Sequence, residues 1–165
     1  MINMERMYLY LDDVRTPIDP EWNVVRSYDE FVAHIKLHGL ENYQCISLDH
    51  DLGEEAMQEY FRNVKPNQKL DYNNIKEKTG YDCAHWLIDE AFRTGVTLPI
   101  IYVHSANPIG ASNIISLINN YYRNKGLAEK CVNIRVEHKI GDHLTEEELK
   151  RRWSIMNEDY EKNKI

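Results

Sequence analysis

Gln44-Cys45-Ile46-Ser47-Leu48-Asp49-His50-Asp51-Leu52-Gly53 is the stretch that decides the fold. A short apolar run stops at two carboxylates flanking an imidazole, and a glycine then lets the chain turn. Apolar runs of this length, bounded by turn residues, read as buried strands. Ionisable groups are costly inside a core, so Asp49 and His50 belong where the strand reaches water. The pattern recurs twice. Tyr8-Leu9-Tyr10-Leu11 runs into Asp12-Asp13, and Pro99-Ile100-Ile101-Tyr102-Val103 runs into His104-Ser105. In open α/β sheets ligands bind at the carboxyl ends of the strands. Three polar clusters at three strand ends therefore mark one site.

Around these runs the chain alternates strands with helices. Pro17 and Pro20 forbid a helix after the first strand, and Asn23 to Arg26 reads as a second short strand. Ser27 and Glu30 form a capping box for a helix that buries Phe31, Val32 and Ile35, with Leu37 as an optional fourth member of the stripe, and ends at Gly39. From Tyr81, residues Cys83, Ala84, Trp86, Leu87, Ile88, Ala91 and Phe92 fall at helical spacing. Another helix follows the Asn107-Pro108-Ile109-Gly110 turn. Val132, Ile134 and Val136 alternate with polar residues as a fifth, edge-like strand. Thr145 and Glu148 cap a charged helix over 145–160 with Leu149, Trp153 and Met156 on one face. Residues 54–79 form a long polar insertion after the third strand, with a short helix from Glu54 to Asn63, and are either a lid or a solvated excursion. The expected fold is α/β: one domain over 1–165, with a three-layer, doubly wound, five-stranded parallel sheet.

The net charge of −7 over 165 residues argues against a basic face that tracks a long nucleic-acid tract. A small nucleotide or a metal-bridged phosphate stays compatible, because a divalent ion inverts the local charge. No apolar run is long enough to cross a membrane, and the N-terminus lacks a signal-peptide layout, so a cytoplasmic setting is expected. Cys45, Cys83 and Cys131 are odd in number and far apart, which suits reduced thiols.

Asp12, Asp13, Asp49 and Asp51 cannot all stay ionised at close quarters without a cation between them or protons on some. Mg²⁺, or Mn²⁺ in its place, takes one or two carboxylates, waters and a substrate phosphate, which strand-end aspartates supply. The alternative is that these residues only cap turns. His50 and His104 sit where an imidazole can transfer protons, ligate a transition metal or serve as a hydrogen-bonded structural residue. Ser105 and Asn107, in the turn before a helix, can hold phosphate oxygens. Arg15 reads either as a phosphate clamp or as a surface ion pair. His34, His38, His85, His138 and His143 have structural settings, with His138 the next candidate.

Together, Leu11-Asp12-Asp13-Val14-Arg15-Thr16-Pro17, Ile46 to Gly53, Gly80-Tyr81-Asp82 with Trp86, and His104-Ser105-Ala106-Asn107-Pro108 resemble the cyclic-phosphate-processing receiver domains. The resemblance runs from about residue 7 to residue 122. It implies strand order 2-1-3-4-5, Asp12 and Asp13 as the acidic pair, Asp49 as the acceptor aspartate and Ser105 as the hydroxyl residue, while the short, proline-rich link after strand one departs from it by leaving no room for the first crossover helix. The lysine that receivers carry after strand five has no clear counterpart, and the added His50 and His104 favour catalysis. The implied activity is a phosphoesterase acting on a cyclic phosphate of a small nucleotide or ADP-ribose-like molecule. Asp49, His50 and His104 would be catalytic, Arg15, Ser105 and Asn107 would bind substrate, and Asp12, Asp13, Asp49 and Asp51 would hold the metal. The rivals are a signalling receiver phosphorylated on Asp49 and a protein that binds a cyclic nucleotide without turnover.

Overall fold

A computed structural model describes residues 5–163, with side chains described as far as Glu158. In chain order the elements are β1 (Met7–Leu11), β2 (Arg15–Pro17), β3 (Trp22–Val25), α1 (Tyr28–His38), β4 (Tyr43–Leu48), α2 (Glu54–Glu59), α3 (Lys65–Asn67), α4 (Gly80–Thr94), β5 (Ile100–Val103), α5 (Pro108–Asn124), β6 (His138–Ile140) and α6 (Glu146–Asn163). A π-helical turn over Tyr60–Val64 joins α2 to α3. Side chains cap the principal helices. Ser27 accepts from the Glu30 N–H, Thr79 and Asp82 form a capping box, and Asn107 accepts from the Gly110 N–H behind Pro108. No helix among the described residues is long and apolar enough to cross a membrane.

The main sheet is parallel, with four strands in the order β3-β1-β4-β5. These are the first four strands of the expected order. The fifth position is not a strand. Asn133 makes one bridge to Val103, with bonds from the Val103 N–H to Val132 O (3.0 Å) and from the Ile134 N–H to Val103 O (2.7 Å). The Asn133 side chain then stands in for a ladder, since its Oδ1 accepts from the Ser105 N–H (3.1 Å) and its Nδ2–H donates to Ser105 O (3.2 Å). From there the chain goes on to pair β6 with β2 in a second, antiparallel sheet, His138 opposite Pro17.

Two layers replace the expected three. Both helical crossovers, β3-α1-β4 and β4-α4-β5, advance in one direction across the sheet. Right-handed connections therefore place α1 and α4 on the same face, and α5 packs beside α4. A layer on the other face needs a crossover in the opposite direction. That is the β1-to-β3 step, where Pro17 and Pro20 leave no helix. The single apolar core lies between Leu9, Leu11, Ile46, Leu48, Ile101 and Val103 of the strands and Phe31, Ile35, Leu87, Ile114 and Ile118 of the helices. On the other face Tyr8, Tyr10 and Trp22 meet edge to face. That face stays open enough to hold a cleft.

Residues 54–79 are helical as far as Asn67 and are then tied back on themselves. Glu77 Oε1 accepts from the Ala56 N–H (2.9 Å), and Glu59 Oε2 accepts from Asn74 Nδ2–H (2.7 Å). The charged helix α6 packs against α2, with Arg151 on Glu54. It buries Ile155 and leaves Trp153 56% exposed, so the expected Leu149-Trp153-Met156 stripe is not what docks it. Phe92 likewise points outward from α4, at 61% exposure, and instead takes Lys125 over its ring.

Candidate active site at the strand ends

Asp12 and Asp13 follow β1, Asp49 follows β4, and His104 follows β5, so the parallel register brings them together. One carboxylate oxygen from each of Asp12, Asp13 and Asp49 lies within 4.8 Å of the others, and all three residues are buried. Asp12 is the most heavily bonded. Its Oδ1 accepts from the Val14 N–H (2.9 Å) and the Arg15 N–H (2.8 Å), while its Oδ2 accepts from Arg15 Nε–H (2.7 Å) and faces His104 Nε2 at 3.2 Å. Burial pushes this carboxyl up, but the His104 hydrogen bond and the Arg15 charge outweigh it and hold Asp12 below the usual range.

An ionised Asp12 only accepts, so His104 Nε2 carries the proton. Burial in turn pushes the His104 pKa down, which leaves the ring neutral and Nδ1 free to accept from the Ser47 hydroxyl at 2.6 Å. Tyr10 stacks on the imidazole at 3.9 Å and 10°. Both nitrogens of His104 are thus committed.

Arg15 joins the acids to the space beside them. Its Nη2 lies 3.2 Å from Asp49 Oδ1 and donates to His104 O at 3.0 Å. Its Nη1 makes no bond among the described residues, and the side chain lines a cleft of about 380 Å³. Tyr10, His104, Ser105, Ala106, Asn133, Arg135 and His138 share that lining, with Ile134 and Val136 as its apolar wall.

Asp49 engages the protein through Oδ1, which also accepts from the His50 N–H (2.8 Å). Burial, then repulsion from Asp12, raises its pKa well above the carboxylate range against the pull of Arg15. Asp13 sits in an ion pair with Arg152 of α6 (2.5 Å), and burial still lifts its pKa to about 6. Gly80 lets α4 reach this edge. Its N–H donates to His50 O (2.8 Å), and a Cβ there would stand 1.7 Å from Asp49 O.

A family description, the Cyclic-phosphate processing Receiver domain, matches residues 7–120, which is well over half of the chain. The chain belongs to this family. No curated protein and no solved structure matches it.

In this receiver domain the expected site residues divide into two groups. Asp12, Asp13, Asp49, Arg15 and His104 converge, and Ser105 joins them on the cleft wall. His50, Asp51 and Asn107 form a second network. The buried His50 has Nδ1 at 2.6 Å from Asp51 Oδ1 and Nε2 at 2.9 Å from the Tyr72 hydroxyl. Asn107 Nδ2–H donates to the same Asp51 oxygen (3.3 Å), and Asn113 Nδ2–H donates to Tyr72 (3.1 Å). Gly110 seals His50 in, since a Cβ there would lie 2.3 Å from the ring. Through Tyr72 the second network anchors residues 54–79 to the strand ends. Asp51 thus serves His50 and Asn107 and stands outside the three-acid cluster.

The donor set suits a hard cation such as Mg²⁺ or Mn²⁺, because every ligand on offer is a carboxylate oxygen. The four bonds to Asp12 use its lone pairs, which leaves Asp13 and Asp49 to meet the cation's preference for one or two carboxylates. Two residues of the site escaped sequence reasoning. Arg152 lies 139 positions from Asp13, and no local spacing connects them. Ser47 is a lone polar residue inside an apolar strand, and only its neighbour His104 gives it a role.

Proposed function

We propose that this receiver domain hydrolyses a cyclic phosphate ester of a small nucleotide-like or ADP-ribose-like molecule, opening the ring to a phosphomonoester. One observation supports this most: a single guanidinium, Arg15, pairs with Asp12 and Asp49 on one side and lines the cleft on the other. A phosphate held by Arg15 Nη1 and the Ser105 hydroxyl would have the acids beside it and room for a substrate in the cleft.

Asp13 and Asp49 would hold a divalent cation, which, when bound, polarises a phosphoryl oxygen and makes a bound water acidic near neutral pH. The chain's own residues supply the rest. Asp49, beside Arg15 at the strand ends, is the carboxylate placed to accept a proton from the attacking water. Asp12 orients Arg15 and, with Ser47, holds His104 in one tautomer under the cleft. Asn107 and His50 position the turn and the insertion rather than the phosphate.

The test is ³¹P NMR on a panel of nucleoside 2′,3′- and 3′,5′-cyclic phosphates and ADP-ribose cyclic phosphate, with Mg²⁺ or Mn²⁺ present. Wild type is expected to convert at least one ester to a monoester, and Asp49→Asn to lose about 10²-fold or more of that rate. Equal turnover by wild type and Asp49→Asn would remove the acids from the chemistry.

A further inference from the structure

Opening a cyclic ester releases an alkoxide, and that oxygen needs a proton. His50 and His104 each have both ring nitrogens engaged within the fold. Of the other cleft-lining groups, Arg15 and Arg135 do not give up a proton, and burial pushes the Tyr10 phenol well above its ordinary range. We propose that His138 is the general acid of this site, an assignment that rests on the hydrolase reading above.

The geometry of its ring carries the assignment. His138 opens β6 and is held opposite Pro17 of β2, so a rigid backbone pairing fixes where it stands. The half-buried ring places Nδ1 at 2.8 Å from Val136 O. A carbonyl only accepts, so Nδ1 bears a hydrogen. Nε2 has no partner among the described residues, and the ring shares the cleft wall with Arg15, His104 and Ser105. This leaves one imidazole nitrogen free to exchange a proton with whatever occupies the cleft. His138 lies beyond residues 7–120, so the family match assigns it nothing.

A water oxygen bonds to phosphorus, and its proton passes to the Asp49 carboxylate. The phosphorus–oxygen bond of the ring breaks, and its electron pair goes to the departing oxygen. That oxygen takes the Nε2 proton of the His138 imidazolium, which leaves a neutral ring with its hydrogen on Nδ1, and solvent then restores the Nε2 proton. Arg15 stays protonated throughout.

The experiment compares wild type with His138→Gln on two esters, adenosine 2′,3′-cyclic phosphate and catechol cyclic phosphate. The first releases an alkoxide and depends on an acid, while the second releases a phenolate that leaves without one. His138→Gln is expected to lose about 10²- to 10⁴-fold in kcat on the adenosine ester. Its loss on the catechol ester should stay below about 10-fold, with little change in KM. Both rates come from one preparation, so a partly misfolded variant lowers them together and leaves their ratio unchanged. Equal losses on the two esters, or no loss on either, would overturn the assignment of His138 and leave the hydrolase reading standing. A wild type inert toward both of these and toward every ester of the panel above would sink that reading, and the assignment with it.

Discussion

Gly80→Ala tests whether Asp49 is held where the fold places it. The added Cβ would lie 1.7 Å from Asp49 O, 2.8 Å from Asp49 C and 3.1 Å from His50 Cα, all backbone atoms that no rotamer change can move aside. An ordinary contact begins near 3.4 Å, so α4 and the end of β4 must separate by about 1.7 Å. That displacement breaks the bond from the Gly80 N–H to His50 O, now 2.8 Å. Overpacking costs about 1–3 kcal/mol and the lost bond about 1 kcal/mol. Alanine's better helix propensity returns about 1 kcal/mol, which is too little to reverse the sign. A net loss of about 1–3 kcal/mol lowers the melting temperature by roughly 2–12 °C for a chain of this size. Thermal and urea melts followed by circular dichroism measure it. A variant that melts with wild type would show that α4 does not press on the Asp49 carbonyl, and the argument for a rigidly held acid would go with it.

Other consequences follow from the same geometry. Asp13 has a folded pKa of about 6 against 3.8 unfolded, so the native state binds its proton more tightly. Its contribution is fully present below pH 3.8 and is lost as pH rises through about 6, a decline of roughly 3 kcal/mol. Asp13→Asn should flatten that part of a urea-derived stability profile, and an unchanged slope between pH 4 and 6 would refute the buried-acid account. Tyr72→Phe leaves His50 Nε2 without its hydroxyl partner, at a cost of about 1–3 kcal/mol. Hydrogen exchange should then quicken across residues 54–79, and unchanged protection there would show that Tyr72 does not anchor them. Asp49 should gain no stable phosphoryl group from acetyl phosphate and Mg²⁺ by intact mass. An adduct of one phosphoryl, absent in Asp49→Asn, would point to a signalling receiver instead.

Much of this fold is legible because the strands that build the site are short, apolar and abruptly ended. The runs before Asp12, Asp49 and His104 declare themselves, and parallel register does the rest by aligning their carboxyl ends. Layering was not legible in the same way. The two prolines that exclude the first crossover helix also remove one whole layer, a consequence that appears only when crossover direction is considered. The fifth strand misled because alternation reports a half-buried segment, and the Asn133 side chain meets that description without a ladder. The antiparallel pairing of Arg15–Pro17 with His138–Ile140 joins segments some 120 residues apart, and no period of 2 or 3.6 encodes it. Among the site residues, type and position at a strand end were enough to bring Asp12, Asp13, Asp49 and His104 together. They could not show that His50 turns inward under Gly110, because a glycine some sixty positions beyond the third strand gives no local sign of what it covers.

The central claim is that Arg15 presents the phosphorus of a cyclic ester to the acids at the ends of β1 and β4. Crystals soaked with a slowly hydrolysed adenosine cyclic phosphorothioate test it most directly, because sulfur can be located by its anomalous signal. The account predicts a sulfur peak in the cleft beside Arg15, His104 and Ser105. A peak elsewhere, such as the amide-lined groove of Asn113, Asn119 and Asn120 on α5, would contradict it.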